Sequence, residues 1–201
     1  MVSVFEFVDQ NNAAVGVHDV QKTIQVLTAG GTIDKVYFDA NSSFQVGEPQ
    51  VSAIFKEANL AVPFVVESVL RKDSLDLTDD DRELIFQKVL SCPYDRIIIT
   101  HGTDTMATTA KYLSERIKTK TIVFTGSMEP AKIKSSDAVF NVASALTAVQ
   151  LLTPGSYICM NGQVFHADNV QKNHSVKRFE TIDENKPAPG ETDTNHKNKM
   201  H

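Results

Sequence analysis

Short runs of β-branched residues alternate with helix-patterned stretches along this chain, and that alternation leaves few architectures open to it. The strand-like runs are Thr23 to Leu27 (TIQVL), Phe64 to Val69 (FVVESV), Arg96 to Thr100 (RIIIT), Thr121 to Thr125 (TIVFT) and Tyr157 to Met160 (YICM). The last three are apolar almost throughout, the pattern of strands buried on both faces of a parallel sheet. Between them, Thr78 followed by Asp79, Asp80 and Asp81 is a helix-start signal, with acids set against the positive end of the helix dipole. Ile85, Phe86, Val89 and Leu90 then form an apolar stripe closed by Pro93. A second helix is predicted from about Asp104 to Ile117, and a third on Val139, Val142, Leu146 and Val149. Strands alternating with helices predict an α/β fold with a doubly wound, mostly parallel sheet and helices on both faces.

At 201 residues the expected content is one domain with short extensions. Residues 1–22 are read as an N-terminal extension in which Val2, Val4 and Phe7 suit an extra edge strand. Residues 23–182 are the domain, and 183–201, almost devoid of apolar residues, are an expected disordered tail. With 20 Lys+Arg against 25 Asp+Glu the formal charge is −5. No basic face is implied, so nucleic acid is not an expected partner. Nor is a membrane, since no stretch approaches the roughly 18 apolar residues of a span. Cys92 and Cys159 stand far apart with no CxxC pair, and the N-terminus has no basic, apolar leader pattern; both features point to the cytoplasm.

In a doubly wound sheet, ligands bind beyond the carboxyl ends of the strands. The loops there are Thr28-Ala29-Gly30-Gly31-Thr32-Ile33-Asp34, His101-Gly102-Thr103-Asp104-Thr105-Met106 and Gly126-Ser127-Met128-Glu129-Pro130. Taken singly, each reads as a tight turn plus a helix cap. Together they place glycine backbone and small hydroxyls at one edge, where a ligand can be approached closely. Neither GxGxxG nor GxxxxGK[ST] occurs, so the dinucleotide and P-loop fingerprints are missing.

TAGGTID (Thr28 to Asp34), THGTDTM (Thr100 to Met106) and TGSMEP with SSDAVFN (Thr125 to Asn141) resemble the ordered signatures of the bacterial-type L-asparaginases. DSLDLT (Asp73 to Thr78) and DNVQKN (Asp168 to Asn173) resemble two weaker ones. The likeness covers about residues 23 to 175 and is nearest to the short, single-domain members. It implies the fold of the N-terminal asparaginase domain and hydrolysis of L-asparagine to L-aspartate and ammonia. It also implies that Thr32 is the nucleophile, forming an acyl-enzyme, and that Thr103, Asp104 and Lys172 are a polar triad. Ser74 and Asp104 match residues holding the substrate's α-carboxylate and α-ammonium, and Ser127 a position whose backbone carbonyl lies near the leaving nitrogen. Gly31 and Gly102 supply backbone N–H groups suited to an oxyanion.

Chemistry agrees with these roles, because a threonine hydroxyl attacking an amide needs a base within hydrogen-bond reach, and no Ser-His-Asp signature supplies one. His101 reads as part of a helix-start environment. Where relatives carry an assisting tyrosine, SSFQVG (Ser42 to Gly47) has Phe44, with Tyr37 seven residues upstream. Leu75, Glu129 and Ala138 also depart from the family pattern. The long connection from Asp34 to Gly47, with Tyr37, Phe38 and Phe44, suits a lid. His166, His174 and Asp168 lack a recognisable ligand spacing, so no metal or organic cofactor is implied, and Lys132 and Lys134 read as solvated. Longer members of the family complete their pocket with a second domain. A homodimer or homotetramer closing the site is therefore expected. The alternatives are a glutaminase or other small-amide hydrolase, a catalytically silent amino-acid-binding module, and an amidotransferase subunit.

Overall fold

A computed structural model describes residues 22–38 and 43–191. Its frame is a six-stranded sheet built from β1 (Ile24–Gly30), β4 (Phe64–Lys72), β5 (Arg96–Thr100), β6 (Thr121–Thr125), β7 (Gly155–Met160) and β8 (Gln163–His166). The spatial order is β4-β1-β5-β6-β7-β8. All neighbours run parallel except β7 with β8, which pair antiparallel. The expected runs at 96–100 and 121–125 are strands with those limits; β1 starts one residue later than expected and ends three later, β4 ends three later, and β7 starts two earlier.

Alternate residues of each strand enter two separate cores, as the period of two requires. Leu27, Ile97, Ile99, Ile122, Phe124 and Ile158 face α2 (Asp79–Ser91) and α3 (Met106–Ser114). Val26, Ile98, Val123, Tyr157 and Cys159 face α1 (Val51–Glu57) and α4 (Ala138–Leu151). The sheet is thus covered on both sides and doubly wound. α2 starts with the expected capping box: Asp81 N–H donates to the Thr78 hydroxyl, and Thr78 N–H returns a bond to Asp81 Oδ2 at 2.9 Å.

Several local expectations are corrected. On α2, Ile85 and Val89 are buried but Leu90 is exposed, because Asp81 and Arg82 turn inward in the first part of the helix. On α4 the inward face is Ala138, Asn141, Val142, Ala145, Ala148 and Val149, which leaves Val139 in solvent; small residues let the helix approach the sheet closely. α3 is shorter than expected, beginning at Met106, so Asp104 lies in the turn ahead of it. The 34–47 connection contains a hairpin of β2 (Lys35–Phe38) and β3 (Ser43–Val46), and a second hairpin joins β9 (Val170–Asn173) to β10 (Arg178–Thr181). Past the expected boundary at 182, Asp183 N–H donates to Asn169 Oδ1 at 2.8 Å and Lys186 pairs with Asp168 at 2.6 Å. Residues 183–191 are therefore folded against the domain instead of forming the tail. The expected N-terminal extension through residue 21 and the last part of the tail, 192–201, lie outside the described residues.

The strand order places the reversal of winding between β1 and β5, where an open α/β sheet forms its ligand crevice. Backbone meets backbone there. A Cβ built on Gly31 falls 2.3 Å from Gly102 N, one on Gly102 falls 2.6 Å from Ser74 Cβ, and one on Gly126 falls 2.4 Å from the His101 carbonyl oxygen. Gly30 and Gly31 also sit at φ of 88° and 89°, which favours glycine. Replacing Gly102 by Ala is expected to lower stability by about 3 kcal/mol, because neither backbone nor Ser74 can yield to the new methyl. Urea unfolding of the variant and the parent checks this, and a difference under about 0.5 kcal/mol would refute the backbone-contact account.

Candidate active site

Thr32 opens the 3-10 turn Thr32–Asp34 that directly follows β1 and the two glycines. The contact of Gly31 on Gly102 sets this turn against the β5 loop, and the contact of Gly102 on Ser74 adds the loop after β4. Thr105 Oγ1 fastens that third segment by donating to the Ser74 carbonyl at 2.7 Å. Gly126, resting on the His101 carbonyl, brings in the β6 loop. Within the structure Gly31 admits the Gly102 backbone, Gly102 the Ser74 side chain and Gly126 the His101 carbonyl.

Lys172 arrives from far along the chain. It sits on β9 opposite Phe179, whose ring is buried in the α2/α3-side core, and on the same face as buried Val170. Anchored so, its Nζ donates to Thr103 Oγ1 at 2.7 Å and to Asp104 Oδ1 at 2.7 Å. The lysine side chain is 12% exposed and the Asp104 side chain 32%. His174 Nδ1 lies 3.8 Å from the same Asp104 oxygen. Thr103 is buried, and Ser74 Oγ is buried with no hydrogen-bond partner among the described residues. The structure thus joins Thr103, Asp104 and Lys172 directly, and assembles Gly31, Thr32, Gly102 and Ser74 through backbone packing. Ser127 stands one strand further on, buried, with its hydroxyl donating to the Glu129 carbonyl.

Sequence reasoning overlooked the residues that hold the β6 loop. Asp137 occupies the cap position of α4, yet its carboxylate does not cap that helix. It accepts from Met128 N–H at 2.9 Å and Glu129 N–H at 3.2 Å. Asn141, fully buried, donates to Asp137 Oδ2 at 2.8 Å and to the Gly126 carbonyl at 3.1 Å. Both lie in the SSDAVFN motif, and a polar Asn on the inward face of an otherwise apolar helix was the available signal.

His101 is not at a helix start. It is fully buried, its ring meets Phe124 edge-on at 6.1 Å, and its Nδ1 is 2.8 Å from the Gly102 carbonyl. Burial holds its pKa down at about 4. A carbonyl only accepts, so the proton of the neutral ring is on Nδ1 and His101 is a strut for Gly102. Tyr37 and Phe44 face each other across the β2–β3 hairpin, rings 5.6 Å apart, and both are more than half exposed. His166 tilts onto Tyr157 whereas His174 lies by Asp104, so the two histidines have different neighbours. A groove of about 410 Å³ lies between β8 and the segment 184–191, lined in part by His166, Asn169 and Lys186. It includes none of the residues named for chemistry.

A model of the family described as "Asparaginase, N-terminal" matches residues 23–200. The chain belongs to that family. It is 32% identical over 158 residues to the L-asparaginase of Thermococcus kodakarensis, covering 75% of this chain and 48% of that protein. It is 31% identical over 175 residues to L-asparaginase 2 of Escherichia coli, covering 79% and 49%. The solved structure of the Thermococcus kodakarensis enzyme superposes with a TM-score of 0.73 at 30% identity, over 83% of this chain and 52% of that one. This asparaginase domain therefore spans about half the length of the relatives it matches.

Asp34, third residue of the Thr32–Asp34 turn, is 2% exposed, and burial raises its pKa to about 7 against the opposing pull of the Gln50 amide. An acid whose proton is held more tightly in the folded state loses stability as pH rises from its unfolded pKa to its folded one. The window here is about pH 4 to 7. A shift of about three units corresponds to about 4 kcal/mol. Asp34→Asn is expected to gain that much on the parent between those limits, measured as the difference of their urea unfolding free energies across pH. A difference that stays constant with pH contradicts the assignment.

Proposed function

We propose that the domain hydrolyses L-asparagine to L-aspartate and ammonia through an acyl-enzyme on Thr32. The observation that carries this is the bridge from Lys172 Nζ to both Thr103 Oγ1 and Asp104 Oδ1, set beside the Gly31-Thr32 turn by the Gly31–Gly102 contact. Thr32 Oγ adds to the side-chain amide carbon, the C–N bond breaks, and the hydroxyl proton leaves with ammonia. Water then splits the ester, giving aspartate and restoring the hydroxyl. The Thr103–Lys172–Asp104 network is the relay for these protons, and backbone N–H groups of the glycine loops are suited to the developing oxyanion. Asp104, partly exposed, offers negative charge to the substrate ammonium, and the unpartnered Ser74 hydroxyl offers a donor to its carboxylate. No step requires a metal or cofactor.

Relatives named glutaminase-asparaginase, such as that of Acinetobacter glutaminasificans at 28% identity, favour glutamine as the second substrate to test. We place the protein in the cytoplasm, where the two free thiols Cys92 and Cys159 stay reduced. Ammonia release from asparagine is expected to exceed that from glutamine. Thr32→Ala and Lys172→Met are expected to lower it by at least about a thousandfold. A preference for glutamine overturns the substrate, and unimpaired Thr32→Ala overturns the nucleophile. A homodimer or homotetramer is proposed, in which a second copy closes the site over the partly exposed Asp104. Sedimentation of the active protein as a monomer rules this out.

A further inference from the structure

None of these steps uses the buried carboxyl of the nucleophile turn. Asp34 presents two acceptors to one neighbouring segment: its carbonyl takes the Gly47 N–H at 2.8 Å, and its Oδ1 takes the Gln50 N–H at 2.8 Å. Gln50 immediately precedes α1, whose Val51, Ile54 and Phe55 share a core with Ile33 of the turn. On the opposite side, the Ile33 carbonyl accepts from Ala131 N–H at 3.1 Å. Three amides from outside thus fix the short turn that bears Thr32, and Asp34 receives two of them. We propose that Asp34 is a positioning residue for Thr32, clasping the nucleophile turn to the start of α1 through its carbonyl and its carboxyl. The effect on catalysis rests on the amidase reading; the clasp does not.

The charged groups around this carboxyl leave it without a dedicated partner. Arg71 at the end of β4 is held by Glu48 through bonds of 2.6 and 2.8 Å, and Lys35 at the start of β2 is held by Asp73 at 2.6 Å. Arg71 lowers the Asp34 pKa and Glu48 raises it, so burial dominates. Lys132, next to Ala131, is exposed. A buried acid that binds its proton more tightly than an exposed one favours the closed clasp while protonated, so losing the proton favours opening. The Thr32 turn therefore loosens as pH climbs through about 7, which is opposite in sign to a lysine base gaining activity as it deprotonates.

Two readouts on the whole chain test this. Ammonia release from asparagine is expected to show a kcat that falls above about pH 7 in the parent, and Asp34→Asn, a neutral acceptor, loses that descending limb. Asp34→Ala, with no side-chain acceptor, drops kcat by about tenfold at about pH 6 with KM changed less than about twofold, and Asn restores it. Independently of turnover, amide hydrogen exchange at Gly47 and Gln50 is compared between parent and Asp34→Asn at matched pH. The ratio is expected to rise at least about fivefold from about pH 6 to about pH 8.5. A flat ratio together with an unchanged descending limb overturns the proposal. A parent silent on both amides with a rising ratio overturns the amidase reading and leaves the clasp standing. Should the variants not fold, carboxyl NMR titration of the parent decides. A midpoint near 7 shared by Asp34 and the Gln50 amide supports the clasp, and a midpoint in the ordinary acid range overturns it.

Discussion

Close approach of main chain to main chain at the β1/β5 crevice is the constraint on which the rest of the site depends. Gly31 lies against Gly102, Gly102 against Ser74 and Gly126 against His101, and a single methyl at any of the first glycines would occupy space already filled. Parallel neighbours in register set the loops at one level, since Thr28, Thr100 and Thr125 stand side by side across β1, β5 and β6. The reversal of winding between β1 and β5 then separates their helices to opposite faces and leaves the strand ends accessible. The four loops form one surface because Gly31 meets the Gly102 backbone, Gly126 meets the His101 carbonyl and Gly102 meets the Ser74 side chain.

Polar side chains act on that surface as fasteners. His101 holds the Gly102 carbonyl, Thr105 the Ser74 carbonyl, Asn141 the Gly126 carbonyl, and Asp137 the amides of Met128 and Glu129. Each satisfies a loop backbone group that burial would otherwise leave costly. Lys172 adds an ion pair to this surface where it joins Thr103 and Asp104. Asp34 is the most deeply buried acid there, with one backbone donor to its carboxyl, and the interior prefers its neutral form.

Much of the frame was legible in the residues. Apolar β-branched runs such as Arg96–Thr100 and Thr121–Thr125 have no alternative to burial on both faces, and the Thr78/Asp81 box marks a helix start by local hydrogen bonding alone. Thr32, Thr103, Asp104 and Lys172 were recognisable because their motifs are contiguous. The missed elements depend on partners distant in sequence. The β9–β10 hairpin has no strong alternation of its own and is fixed by Val170 and Phe179 entering the core. On α4, Val142, Leu146 and Val149 face the core as expected, while Val139 does not and the small Ala138, Ala145 and Ala148, with a weak apolar signal, were missed.

Sequence by itself determined the doubly wound sheet, the capped start of α2 and which loops carry glycine, threonine and acid, because these follow from periodicity and local bonding within a few residues. Only the tertiary structure decided that residues 183–191 fold back on Asn169 and Asp168, and that His101 is a neutral strut. It also gave the triad that the resemblance implied its actual bonds, with Lys172 Nζ on a hydroxyl and an acid nearly seventy positions away. Those outcomes depend on burial and on distances between segments remote along the chain, and neither quantity exists until the two cores have closed on the sheet.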